Sequence, residues 1–179
     1  MNLNQLSPIG KRYQDSRLQV QQWLPITLIL VLATVLYFFR INAEGLWLDE
    51  LTSIRDSQEI VAQLRNNLVR PLYYILLMVW MRFGSSDTWL RSLSVVFAIS
   101  TIFLLYRLGR RLLGEKEGLI AATLMTLSPM FINHAQEVRM YVLSTCLGVA
   151  GTLCLANALT GERSEDPSHA SLAGWCGFR

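Results

Sequence analysis

The sequence predicts an all-α membrane protein: a polytopic bundle of about four spanning helices, with a pair of interfacial helices in the first external loop. Composition is the first observation behind this. Apolar residues make up 52% of the chain and charged residues 16%, against roughly 25% charged in a soluble domain. The second is that the apolar residues are blocked, since 24–39, 93–106, 118–133 and 140–159 carry no Asp, Glu, Lys or Arg. The third is that these blocks do not alternate polar with apolar residues as barrel strands would. Peptide groups in lipid must then bond within a helix.

The first block reads as an uncleaved anchor. Lys11, Arg12 and Arg17 lie in a leader too long for the basic region of a signal peptide, and Ile41-Asn42-Ala43 is a poor cleavage site. Trp23 and Arg40 suit its two interfaces. The basic leader places residues 1–23 in the cytoplasm and 41–88 outside. Arg107, Arg110, Arg111 and Lys116 make the most basic short loop, which is expected inside.

Residues 71–83 would invert that loop if they crossed the bilayer. Thirteen helical residues reach only about 20 Å, so the segment is expected to lie in the outer interface, with Tyr73, Tyr74 and Trp80 at that depth. Before it, Asp56-Ser57-Gln58-Glu59 has the spacing of a capping box. Ile60, Val61, Leu64 and Leu68 follow at helical spacing, predicting a short amphipathic helix. The later spans are expected at 89–106, 118–133 and 140–160, with 134–139 a tight external connection. Gly148 and Gly151 read as close-packing residues. Residues 24–160 form one transmembrane domain, and 161–179 a polar tail read as truncated or frameshifted.

Cysteine and net charge exclude other classes. Cys146, Cys154 and Cys176 have neither metal spacing nor a paired framework, and read as small apolar fillers. A net charge of +3 is too small and dispersed for nucleic acid.

Two polar clusters fall on the expected outer face. In Trp47-Leu48-Asp49-Glu50, adjacent carboxylates sit among apolar residues. A carboxylate desolvated at such a boundary is a candidate general base; the alternative is a turn whose acids cap a helix. In Gln136-Glu137-Val138-Arg139-Met140-Tyr141, ionisable groups stand where two spans meet the boundary. Arg139 has the fork to bind phosphate, and Glu137 can ligate a divalent ion or orient a substrate; the alternative is a loop ion pair. His134 reads as a hydrogen-bonded loop histidine. Arg70, Arg82 and Arg91 read as snorkelling interface residues.

With these clusters the chain resembles the N-terminal part of the GT-C fold membrane glycosyltransferases. The branch is that of the dolichyl-phosphate-mannose–protein mannosyltransferases and the lipid A aminoarabinose transferases. The shared marks are Leu46-Trp47-Leu48-Asp49-Glu50, Pro71-Leu72-Tyr73-Tyr74, Leu108-Gly109-Arg110-Arg111-Leu112-Leu113-Gly114, Ser128-Pro129 and the Gln136–Tyr141 cluster. Where family members often show His-Pro-Pro, this chain has Val69-Arg70-Pro71.

The resemblance implies inverting transfer from a polyprenyl-phosphate sugar to a lipid, glycan or protein acceptor at the extracytoplasmic face. Asp49 would be the catalytic base with Glu50 beside it. Arg139, Gln136 and Tyr141 would bind substrate, and Glu137 would hold a divalent metal ion if one is used. The chain alone is expected to be inactive. A non-catalytic membrane protein, either a truncated remnant or an assembly subunit, is the competing class.

Overall fold

The computed structural model describes residues 8–39, 41, 47–58 and 71–161. Among them every regular element is a helix: α1 Pro8–Phe38, α2 Leu48–Gln58, α3 Pro71–Met81, α4 Asp87–Leu112, α5 Glu115–Leu127, α6 Pro129–Ala135 and α7 Tyr141–Gly161. The protein is an all-helical membrane protein. Asp87–Leu112 and Tyr141–Leu159 are long and apolar enough to cross a bilayer, while Trp23–Phe38 and Leu72–Met81 are shorter apolar helices.

The first expected span is the C-terminal half of a longer helix, because the polar leader is already helical from Pro8. The third expected span is interrupted. Ser128 is extended (φ −66°, ψ 117°) and Pro129 opens α6. Proline forces its predecessor out of the helical region and donates no hydrogen bond, so α5 and α6 are separate pieces.

The expected helix start at Asp56 is also displaced. Asp56 lies near the end of α2, whose first turn holds Asp49 and Glu50. The reach-back of a capping box occurs here, where Glu50 Oε2 accepts from the Trp47 N–H at 3.0 Å. Residues 59–68, which carried the rest of the expected helix, lie outside the described residues.

Helix α4 is the axis of the bundle, packing against α1, α3, α5, α6 and α7. Its start is built for a helix. Ser86 caps it by accepting from the Trp89 N–H, Asp87 faces the positive end of the dipole, and Arg110 and Arg111 face the negative end. Thr101, fully buried, returns its hydroxyl to the Phe97 carbonyl at 2.7 Å, so that donor is met within its own helix.

The turn from α4 to α5 depends on glycine. A Cβ on Gly109 would stand 2.7 Å from the Gly118 Cα, and one on Gly118 2.7 Å from the Arg110 nitrogen. Gly114 between them has φ +134°, which side-chain-bearing residues avoid. Gly148 and Gly151 differ. Among the described residues nothing lies within 4 Å of a Cβ at either position, so there they are not the close-packing residues expected from sequence.

Two apolar cores result. Tyr37, Val95, Ala98, Ile102, Tyr106, Ala122, Phe131 and Val142 join α1, α4, α5, α6 and α7. Tyr73, Leu77, Leu90, Leu93, Val138, Met140 and Leu143 join α3 to the first turns of α4 and the start of α7. The indoles of Trp80 and Trp89 stack at 4.8 Å, each donating to the other's carbonyl. Helix α3 is therefore tied to one end of α4, and its eleven residues reach only about 16 Å. Large apolar side chains on α1, α5 and α7, such as Leu28, Val35, Leu124, Leu147 and Leu155, remain exposed. Such surface suits contact with lipid chains.

Candidate functional site

The two polar clusters singled out in the sequence meet. A cleft of about 350 Å³ is lined by Trp47, Asp49 and Glu50 from the start of α2, and by Glu137, Arg139 and Tyr141 from the α6–α7 connection. The basic hairpin between α4 and α5 lies at the opposite end of α4. Arg91, behind the cleft, and Gly109, at the hairpin, are about 27 Å apart along the helix.

Adjacent residues of a helix point about 100° apart, so Asp49 and Glu50 cannot share an environment. Glu50 turns inward and is only 2% exposed. Its Oε1 accepts from Arg91 Nε at 3.3 Å and from the Val138 N–H at 2.8 Å. Its Oε2 accepts from Arg91 Nη2 and the Trp47 N–H, both at 3.0 Å. Arg91 in turn donates from Nη1 to the Ile41 carbonyl beyond α1. This buried pair joins α2, α4, the end of α1 and the α6–α7 connection. Both Glu50 oxygens are engaged, so Glu50 holds the wall of the cleft instead of offering it a second free carboxylate.

Asp49 turns outward, with a side chain 72% exposed. The protein buries little of it, contrary to the desolvated setting expected from its apolar neighbours. Its partner is Arg139, whose Nη2 lies 3.1 Å from Asp49 Oδ2. Arg139 Nη2 also donates to the Tyr141 hydroxyl at 3.2 Å, and Nη1 to the Asp49 carbonyl at 3.4 Å. The guanidinium carbon stands 5.4 Å from the Tyr141 ring centre. Desolvation pulls the Arg139 pKa down, but the Tyr141 hydrogen bond and the charges of Tyr141, Asp49 and Glu137 outweigh it. The net shift is upward, and Arg139 stays cationic.

Glu137 pairs with His134, Oε2 to Nδ1 at 3.4 Å, and the imidazole lies 5.0 Å from the Tyr141 ring. The Glu137 carbonyl accepts from the Ser94 hydroxyl at 2.6 Å, which fixes the connection onto α4. Glu137 and His134 are two of the donors a divalent ion would need. Among the described residues no three His, Cys, Asp or Glu side chains converge on one point.

Gln136 is not brought to the cleft with the others. Its Nε2 donates to the carbonyls of Tyr37 at 3.1 Å and Phe39 at 3.0 Å, closing the C-terminus of α1. Sequence reasoning missed Trp47 as a wall and Arg91 as a partner. The available signal for Arg91 was the acid pair itself: if one carboxylate of two neighbours turns inward, a buried cation must answer it.

Comparison with known proteins bears on the family. Residues 71–175 match the dolichyl-phosphate-mannose-protein mannosyltransferase family. A stretch of 51 residues is 43% identical to the proton-coupled folate transporter of Rattus norvegicus, covering 28% of this chain and 11% of the transporter. The chain thus spans only a small part of the length of that curated relative. No solved structure matches.

Proposed function

The chain belongs to the dolichyl-phosphate-mannose-protein mannosyltransferase family, and from that premise we propose that its cleft carries sugar transfer from a polyprenyl-phosphate donor at the extracytoplasmic face. The observation that carries the reading is the meeting of Asp49 and Arg139, ninety positions apart in sequence, at 3.1 Å in an open cleft. One offers an exposed carboxylate, the other a cationic fork.

The roles follow from charge. Asp49 accepts the proton of an acceptor hydroxyl or amine as that group attacks the anomeric carbon. The bond from that carbon to the phosphate oxygen breaks, and the polyprenyl phosphate leaves with the negative charge. Arg139 receives that charge in bidentate geometry. Tyr141 orients Arg139, and Glu50 with Arg91 holds α2 so that Asp49 faces the cleft. Attack opposite the leaving group inverts the sugar.

The orientation fits. With the cleft outside, the Arg107–Lys116 hairpin and the N-terminus of α1 lie inside, as the positive-inside rule favours. The competing reading, a non-catalytic assembly subunit, would make the Asp49–Arg139 pair a structural link alone. The two part on binding. In phosphatidylcholine nanodiscs the protein should bind dolichyl phosphate saturably. Arg139→Gln should weaken binding by roughly 10- to 100-fold, the worth of a charged hydrogen bond at about 1.5–3 kcal/mol. Unchanged binding in that variant would favour the subunit reading.

A further inference from the structure

The Asp49–Arg139 pair has a consequence for the order of events. We propose that it is a latch opened by the donor's phosphate, so that the base is released only when a donor is seated; this rests on the function proposed above.

A carboxylate whose oxygen already accepts from a guanidinium is poorly available for an acceptor's proton. In the structure Asp49 is in that position, and the cation holding it is the one a phosphate needs. Arg139 is the fixed member, 22% exposed and held by the Tyr141 hydroxyl and ring. Asp49, at 72% exposed, is the member free to rotate into water. Phosphate matches the guanidinium fork at least as well as carboxylate does. A seated donor therefore takes over Arg139 and turns Asp49 loose beside the anomeric carbon. The exchange costs little, because an exposed ion pair biases such an equilibrium only about two- to fivefold. Donor binding precedes base activation, and without donor the cleft does not deprotonate an acceptor.

The test is dolichyl phosphate titration of the nanodisc protein with two charge-removing variants, Asp49→Asn and Glu137→Gln. Both remove a negative charge from the cleft, but Asp49 touches Arg139 at 3.1 Å while Glu137 pairs with His134 and acts on Arg139 through charge alone. The latch predicts that Asp49→Asn tightens binding about two- to fivefold and by clearly more than Glu137→Gln does. Equal tightening by both would show general relief of repulsion and overturn the latch. No tightening by Asp49→Asn would overturn it also. If the unaltered protein binds no dolichyl phosphate, the donor reading itself falls and the latch with it, a result distinct from either of the others.

Discussion

Glu50 and Arg91 close a buried ion pair at 3.0 Å across forty-one positions of sequence, with side chains 2% and 5% exposed. Each Glu50 carboxylate oxygen accepts two hydrogen bonds, from Arg91 and Val138 at one and from Arg91 and Trp47 at the other. The pair is the joint on which the cleft is assembled. Removing one member would leave the other charged and buried.

That cost sets the first expectation. Glu50→Gln keeps the shape but removes the carboxylate charge that pairs with Arg91, and breaking a buried pair costs about 3–5 kcal/mol. Asp49→Asn, at an exposed pair, should cost no more than about 1 kcal/mol. Thermal unfolding of the two variants in detergent compares them directly. Equal losses would mean that the inward and outward assignments of the two acids are wrong.

Activity should divide the acids the other way. In a full-length relative that transfers sugar, replacing the Asp that matches Asp49 by Asn should slow transfer by about 10²–10⁴-fold with folding intact, as expected for loss of a general base. Near-normal turnover in that variant would remove Asp49 from the chemistry.

The α4–α5 hairpin should be intolerant of a single methyl group. Gly109→Ala or Gly118→Ala places a Cβ 2.7 Å from backbone, and overpacking of this kind costs about 1–3 kcal/mol. Gly148→Ala and Gly151→Ala meet open space and should be neutral or mildly stabilising, because alanine has the better helix propensity. Unfolding midpoints that fail to separate the two pairs would contradict the packing of the hairpin.

Orientation is open to labelling. In a cysteine-free background, an impermeant thiol reagent added outside should modify Gln58→Cys, at the C-terminal end of α2, and spare Leu113→Cys at the hairpin. Both positions are exposed in the protein, so equal or reversed labelling would place the cleft on the wrong face for the proposed donor.

What the sequence by itself determined was everything that follows from local chemistry. Uncharged apolar blocks can only be helices in lipid. Asp49, Glu137, Arg139 and Tyr141 stood out because polar groups beside such blocks are costly without a use. Even so, local rules were ambiguous where two sites obeyed them. The spacing at Asp56-Ser57-Gln58-Glu59 mimics a capping box, yet the reach-back bond forms from Glu50 to Trp47. Gly148 and Gly151 have the composition of a packing stripe but meet nothing among the described residues, while Gly109 and Gly118 touch. Only the tertiary structure decided which acid faces inward, because that depends on where Arg91 arrives along α4. It also decided that Gln136 closes α1 instead of lining the cleft, since the open carbonyls of Tyr37 and Phe39 are brought to it from nearly a hundred positions away. Partners at that separation meet through the packing of whole helices, and the residues themselves carry no record of it.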